Sequence, residues 1–164
     1  MRTIFILTVI FFTGSCIQNV YKKKVKFSNL EFSYSDSYEQ VLSFRVDSSK
    51  FYFISINDTI VYGTLKDSMF DKITKWQENI MTNPEKFRDI KNCENCPELV
   101  IKINNLQDTQ IFIKHGQLDD YTKKIIQSAK VMYTKMNEQN FSRVNFETRF
   151  LIKPKPPVIL PVTF

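Results

Sequence analysis

The chain has few of the residues from which metal, phosphate and nucleophile sites are most often built. Its 164 residues include three glycines, three cysteines and one histidine, His115. Three scattered glycines cannot form the Gly-rich loop that cradles phosphate groups. A lone histidine, with no serine or cysteine in a nucleophile motif, gives a catalytic triad nothing obvious to build on. The commonest nucleotide-binding and triad signatures are therefore excluded, while carboxylates that folding brings together stay open as acid–base groups.

A membrane-spanning hydrophobic run is missing as well. The sustained apolar stretch at residues 4–12 is shorter than the about 20 residues that cross a bilayer as a helix. It follows Arg2 and precedes the small residues 13–15. A basic start, a short apolar stretch and a small-residue exit are typical of a cleaved export signal. We therefore expect residues 1–15 to be a signal peptide that is removed from the folded protein.

Residues 13–16, Thr-Gly-Ser-Cys, resemble the lipobox of bacterial lipoproteins, where signal peptidase II cleaves before a cysteine that becomes lipidated. Lipoboxes usually have an aliphatic residue where this chain has Thr13. Looser boxes resemble those of Bacteroidetes-type bacteria, whose small lipoproteins the general layout of the chain also resembles. The resemblance implies that Cys16 is lipidated. It also implies the periplasmic face of the outer membrane, because neither Asp nor an acidic export pattern follows Cys16. An ordinary signal peptide and an uncleaved anchor are the alternatives.

A basic tether, residues 16–26, follows the expected anchor. The formal net charge of +6 falls to +5 once Arg2 is removed. Lysines near a membrane surface attract anionic headgroups by about 1 kcal/mol each, and a solvated tether is the alternative. No nucleic-acid-binding motif accompanies the lysines, so we predict no nucleic-acid partner. The tether lysines are Lys22, Lys23, Lys24 and Lys26.

Residues 27–152 are expected to form one α+β domain. Hydrophobic residues make up 43% of the chain, including 15 Phe, which is enough for a packed core and unlike a disordered composition. Alternation of apolar and polar side chains predicts four strands between residues 30 and 64, in an antiparallel meander. Helical spacing then predicts a helix over residues 67–81 with Trp76 buried, capped by Asp67 or Ser68.

The second half of the domain repeats the change from strands to a helix. Strands are predicted over residues 99–104 and 109–115. A helix capped by Asp119 and Asp120 follows and runs to about residue 139, and a last strand is predicted over residues 144–152. The inward stripe of that helix is predicted to be Tyr121, Ile125, Ala129, Met132 and Met136. The expected fold is α+β, with an antiparallel-rich sheet of about seven strands and two helices packed on one face. The expected order is four strands, a helix, two strands, a helix and a strand.

Cys93 and Cys96 form the one constellation with recognisable chemistry. If Cys16 is lipidated, these two cysteines are an even pair in an oxidising compartment, which favours a local disulfide. Free thiols and a redox pair are alternatives, although the pair precedes Pro97 and a strand rather than the helix N-terminus that would activate a thiolate. A zinc site would need a second Cys-x-x-Cys motif or more histidines. We predict no cofactor and no metal.

The C-terminal residues 153–164 hold four of the six prolines and are expected to be extended. Docking on the domain, disorder and binding to a partner are the three interpretations of this tail. The leading functional prediction is a non-enzymatic, membrane-tethered periplasmic domain that contacts an envelope protein or the envelope itself. An inhibitor or immunity-type lipoprotein and a cryptic enzyme, using Cys93 and Cys96 or dispersed carboxylates, are the alternatives.

Overall fold

A six-stranded antiparallel sheet and two α-helices make up most of the computed structural model, which describes residues 29–36, 40–57, 59–88, 96–105, 108–135 and 144–152. The strands are β1 (Asn29–Ser35), β2 (Val41–Asp47), β3 (Phe51–Ile56), β4 (Thr59–Thr64), β5 (Glu98–Asn104) and β6 (Thr109–His115). The helices are α1 (Asp67–Thr82) and α2 (Asp120–Lys135), with short 3-10 helices at Pro84–Phe87 and Glu147–Leu151. Across the sheet the strands lie in the order β4-β3-β2-β1-β5-β6.

Both helices pack on the face of the sheet that carries the apolar positions of each strand. Phe32 of β1 lies opposite Phe44 of β2 and Ile101 of β5, so the three side chains share this face. The indole of Trp76 on α1 meets the Phe32 ring edge to face, with 5.5 Å between the ring centres. Trp76 is fully buried, as its helical spacing predicts, and α2 adds Ile125 to the same core.

The start of α1 differs from its predicted cap. The backbone amides of Met69 and Phe70 both donate to the carbonyl of Lys66, so the helix begins one residue earlier than a cap at Asp67 would place it. Lys66 stands at the N-cap position, and its side chain makes no capping hydrogen bond. The Asp67 carboxylate instead accepts a 2.6 Å hydrogen bond from the Lys50 ammonium. The prediction of a cap at Asp67 or Ser68 is therefore wrong.

The start of α2 has the predicted Asp119 cap. The Asp119 carboxylate accepts hydrogen bonds from the Thr122 amide at 2.9 Å and the Thr122 hydroxyl at 2.6 Å. The same hydroxyl accepts a 2.9 Å hydrogen bond from the Trp76 indole, which fixes Thr122 in the core. Tyr121 is therefore turned outward and is 38% exposed, contrary to the predicted inward stripe, whereas Ile125 and Ala129 are buried as predicted.

The predicted seventh strand, residues 144–152, is wrong, and the described residues form six strands. This segment crosses the sheet face opposite the helices and turns into the 3-10 helix at Glu147–Leu151. Phe146 and Thr148 are buried, which explains the alternation in the sequence. The Thr148 amide, however, donates to the side chain of Glu31 and not to a neighbouring strand, so no ladder forms. We call residues 144–152 the strap.

Candidate functional site

The sheet face opposite the helices holds a polar cluster, which we define as Glu31, Ser33, Ser43, Arg45 and Thr148. Glu31, Ser33 and Ser43 are at most 5% exposed because the strap covers them, and Thr148 of the strap is fully buried against them. Polar groups buried away from water need hydrogen-bond partners within the protein. The polar groups of the cluster must therefore form hydrogen bonds with one another.

The Glu31 carboxylate accepts four hydrogen bonds. Arg45 donates to Oε2 from Nε at 2.8 Å and from Nη2 at 2.5 Å, while Thr148 donates to Oε1 from its amide at 2.7 Å and its hydroxyl at 3.0 Å. Arg45 Nη2 also donates to the carbonyl of Asn145, and the guanidinium lies 5.4 Å from the centre of the Phe146 ring. Glu31 thus joins β1 to β2 and to the strap through one side chain.

Three hydroxyl groups extend this cluster across the sheet. Ser43 and Ser33 are 2.8 Å apart, and Ser33 and Thr148 are 2.7 Å apart. A hydroxyl has one proton to donate. Because Thr148 gives its proton to Glu31, Ser33 must donate to Thr148 and Ser43 must donate to Ser33. The protons therefore all point towards the carboxylate, and each hydroxyl has a defined acceptor.

A second ion pair fastens the strap at its outer side. Lys102 of β5 lies 2.5 Å from the carboxylate of Glu147. The hydrogen bond and the positive charge of Lys102 lower the pKa of Glu147, and the charge of Arg45 lowers it further. The strap is consequently bound to β1, β2 and β5, the three adjacent strands in the middle of the sheet.

The strap does not cover β3 and β4, and three aromatic rings lie on this part of the same sheet face. We define the aromatic patch as Phe51, Phe53 and Tyr62, whose ring centres are 5.1 to 6.3 Å apart. All three side chains are half-buried. Aromatic pairs at this distance are mutually stabilising. The patch therefore forms an apolar surface on the sheet face opposite the helices.

A cleft of about 630 Å³ lies between the strap and the ends of β3 and β4 that meet at their connecting turn. Ser55 and Ile60 line it from the sheet, and Phe150 and Ile152 line it from the strap. Ile60 lies two residues from Tyr62 on β4, so the cleft continues the patch. Phe150 is 77% exposed, the largest value among the described large hydrophobic residues, and its neighbour Leu151 is 41% exposed.

Most site residues predicted from the sequence lie outside the described residues. These are Cys16, the four tether lysines and Cys93. Cys96 is described and half-buried, with its sulfur 3.9 Å from the point where a side chain at Gly116 would begin. The Cys93–Cys96 disulfide and the lipid on Cys16 stay predictions. His115 ends β6 opposite Glu98.

The polar cluster and the aromatic patch are the features that the sequence interpretation missed. One signal was present: Ser33, Ser43 and Ser55 stand opposite one another on three adjacent strands. A sheet face in water usually carries long polar or charged side chains, and a row of small hydroxyls indicates that something covers it. The covering segment could not be identified from the neighbouring sequence, because Thr148 of the strap is 115 residues from Ser33 in the chain.

Within the described ranges, no three His, Cys, Asp or Glu side chains gather as metal ligands would. No helix in that part of the chain is long and apolar enough to cross a membrane. Comparison with protein-family models and with curated proteins finds no match to the chain.

Proposed function

We propose that the protein is a membrane-tethered lipoprotein of the bacterial envelope that binds another protein through the sheet face opposite its helices. The observation that supports this proposal is the apolar surface formed by the aromatic patch, the adjoining cleft and the exposed Phe150. The lipobox-like residues 13–16 support the tether. Binding, and not catalysis, is the role that this surface favours.

The composition of the surface suits protein recognition. Aromatic side chains and arginine are enriched at the centres of protein interfaces and provide most of their binding energy. Here the aromatic patch shares a sheet face with the cleft, and Arg149 and Phe150 line that cleft from the strap. Burying one exposed Phe side chain contributes about 1.5–3 kcal/mol. Phe150 is exposed enough for most of that contribution to come from binding.

The polar cluster supports the proposal by holding Phe150 in place. Phe150 follows Thr148 by two residues, and Thr148 is tied to Glu31 and Ser33. A contact residue whose backbone is already fixed by hydrogen bonds loses little conformational freedom on binding. The Glu31 carboxylate already has four donors, so a structural role for it is favoured over proton transfer to a substrate.

Photocrosslinking from Phe150 tests the binding surface. The full-length chain carries p-benzoylphenylalanine in place of Phe150, or in place of Tyr121 on α2 as a matched aromatic control on the other side of the sheet. We expect irradiation of intact cells to give an adduct with one envelope protein at position 150 and not at position 121. Adding Phe53→Ala to the first variant should weaken the adduct. Equal adducts at both positions, or none at position 150, would refute the proposed binding face.

A further inference from the structure

Strand β6 lies at one end of the sheet, and no strand of the described residues pairs with its outer edge. Its inner edge pairs with β5 over all seven residues of Thr109–His115. The outer edge of such a strand presents a row of backbone N–H and C=O groups to which another strand can bind. The residues that turn these groups outward therefore determine what β6 can bind.

The direction of the backbone groups of β6 follows from two hydrogen bonds at the ends of its pairing with β5. The Gly116 amide donates to the Pro97 carbonyl, and the Asn105 amide donates to the Asp108 carbonyl, each at 2.8 Å. In an antiparallel pair, hydrogen-bonded and non-hydrogen-bonded residue pairs alternate along the strands. Both bonds keep the register of β5 with β6, so they fix the alternation between them. The residues of β6 that turn their amides and carbonyls outward are therefore Thr109, Ile111, Ile113 and His115.

Apolar side chains accompany these outward groups. Ile111 lies opposite Lys102 of β5, which binds Glu147 of the strap, so the Ile111 side chain is on the strap side of the sheet. Among the described large hydrophobic residues that are exposed, Ile111, at 45%, is the one that lies in a strand. Ile113 follows it on the same side and is half-buried. The edge thus combines outward hydrogen-bonding groups with an aliphatic contact.

The strand at the other end of the sheet offers less to a partner. β4 has six residues, one of which is Gly63, and a glycine within a strand has no side chain to pack against a neighbour. None of the described residues of β4 is among the exposed large hydrophobic residues. Of the two end strands, β6 is therefore the better template for pairing.

The outward groups of β6 are complementary to those of a second copy. When two copies pair antiparallel about a two-fold axis at Phe112, Ile111 of each copy lies opposite Ile113 of the other. Thr109 lies opposite His115 in the same way. Every outward amide and carbonyl of β6 then meets outward groups of the other copy. A shift of one residue would instead place outward groups opposite inward ones.

The remaining side chains are compatible with this register. Lys114 of one copy lies opposite Gln110 of the other, so the two Lys114 side chains do not face each other. Like charges directly opposite would destabilise a strand pair, and this register avoids them. The two Ile111–Ile113 pairs place aliphatic side chains together at the centre of the contact. Length, hydrogen bonding and side-chain chemistry therefore favour the same register.

We infer that β6 joins a second copy of the chain in this register and forms a two-fold dimer with one continuous sheet. The two-fold axis is perpendicular to the sheet, so both straps lie on one side and both helix pairs lie on the other. With seven residues from each strand, the contact is smaller than the about 20–30 residues a side of a stable interface, so the dimer is reversible. It uses neither the aromatic patch nor the cleft, and it does not rest on the proposed function.

Disulfide crosslinking tests the register. One full-length chain carries Gln110→Cys and another carries Lys114→Cys, and the two are mixed and oxidised. Residues that face each other in a non-hydrogen-bonded pair have Cα atoms about 4.5 Å apart, within the range that a disulfide spans. We expect a covalent dimer in the mixture, with mass spectrometry locating the new bond between positions 110 and 114. The unaltered chain measures the background from its own cysteines.

The separate variants exclude other registers. In the inferred dimer, two copies of position 110 are four residues apart along the strands, about 13 Å, which is too far for a disulfide. Neither Gln110→Cys alone nor Lys114→Cys alone should therefore crosslink through the introduced thiol. Ile111→Cys alone would crosslink if the axis lay at Ile111, and that result would reject the register. No bond between positions 110 and 114 in the mixture would reject it too.

Sedimentation velocity of the full-length chain over a concentration series measures the dimer without a crosslink. Ile111→Lys puts a charge on the edge, a change that opposes strand addition. Because it occurs in both copies, we expect the dissociation constant to rise about tenfold. Val131→Lys alters a comparably exposed aliphatic residue on α2 and should leave the constant unchanged. Circular dichroism checks that both variants fold. A chain that stays monomeric at every concentration, or a dimer equally stable in Ile111→Lys, would overturn the inference.

Discussion

Replacing Glu31 with alanine removes the acceptor of four hydrogen bonds from a site closed to water. The Glu31 side chain is 6% exposed, and its loss leaves the buried amide and hydroxyl of Thr148 without this acceptor. An unsatisfied buried donor costs about 1–3 kcal/mol, and removing one partner of a buried ion pair costs about 3–5 kcal/mol. Because Arg45 is 31% exposed and can turn to water, we expect Glu31→Ala to lower the free energy of unfolding by about 3 kcal/mol.

Two measurements separate release of the strap from loss of the fold. Urea denaturation followed by circular dichroism gives the free energy of unfolding, and trypsin digestion under native conditions gives the rate of cleavage after Arg149 on the strap. Glu31→Ala should lower the free energy of unfolding and increase the rate of cleavage after Arg149. The control is Glu147→Gln, which removes the pair with Lys102 at a side chain that is 62% exposed and should cost less than about 1 kcal/mol. If Glu31→Ala costs no more than this control and is cut no faster, the strap is not held by the polar cluster.

Trp76→Ala should lower the free energy of unfolding by about 3–5 kcal/mol, because it deletes a fully buried indole and its hydrogen bond; a small loss in urea denaturation would contradict this burial. Asp119→Ala should cost about 1 kcal/mol as a lost helix cap. Burial raises the pKa of Asp119, but hydrogen bonds from the first turn of α2 outweigh it and lower the pKa below the ordinary 3.8. This stabilisation is present above pH 3.8 and is lost as the pH falls through the folded-state pKa, so Asp119→Asn should flatten that part of an acid-unfolding curve. Cys16→Ala should abolish labelling by a fatty-acid analogue and leave the protein either unprocessed or soluble without detergent, and unchanged labelling with unchanged membrane retention would argue against lipidation there. Replacing Cys93 and Cys96 together by serine should leave a folded protein of modestly lower stability, since closing a short loop stabilises little. Mass spectrometry with alkylation before and after reduction should find both sulfurs bonded in the native protein, and two free thiols would reject the disulfide.

Elements with a regular period could be predicted from the sequence because their periods reflect one buried face. Leu30 and Phe32 alternate with polar residues and lie on the core side of β1, and Ile73, Trp76 and Ile80 follow the helical period and are buried. The cap at Asp119 was also predictable, because its acceptor and donors lie within three residues. In each case the deciding interactions are local, or simply bury an apolar side chain.

The strap could not be predicted by the same means. Phe146 and Thr148 alternate as a strand residue would, and an extended chain satisfies that pattern whether it pairs with a neighbour or crosses a sheet. The choice depends on Glu31, 117 residues away, which takes the Thr148 amide. The aromatic patch was hidden for a related reason. Phe51 and Phe53 are interleaved with buried Tyr52 and Ile54, so the strand is apolar on both faces and its alternation is lost.

The attachment of the strap depends on strand pairing elsewhere in the chain. Its partners belong to β1, β2 and β5, and β5 reaches its place beside β1 across a connection that contains α1. No acceptor site for Thr148 exists until Glu31 has been placed beside Arg45 by strand pairing. The native hydrogen bonds of Thr148 therefore require β1 and β2 to be paired, and the strap holds Phe150 in its final position only when they are. A partner that requires Phe150 would thus distinguish molecules in which these strands are paired from chains in which the strap is not yet attached.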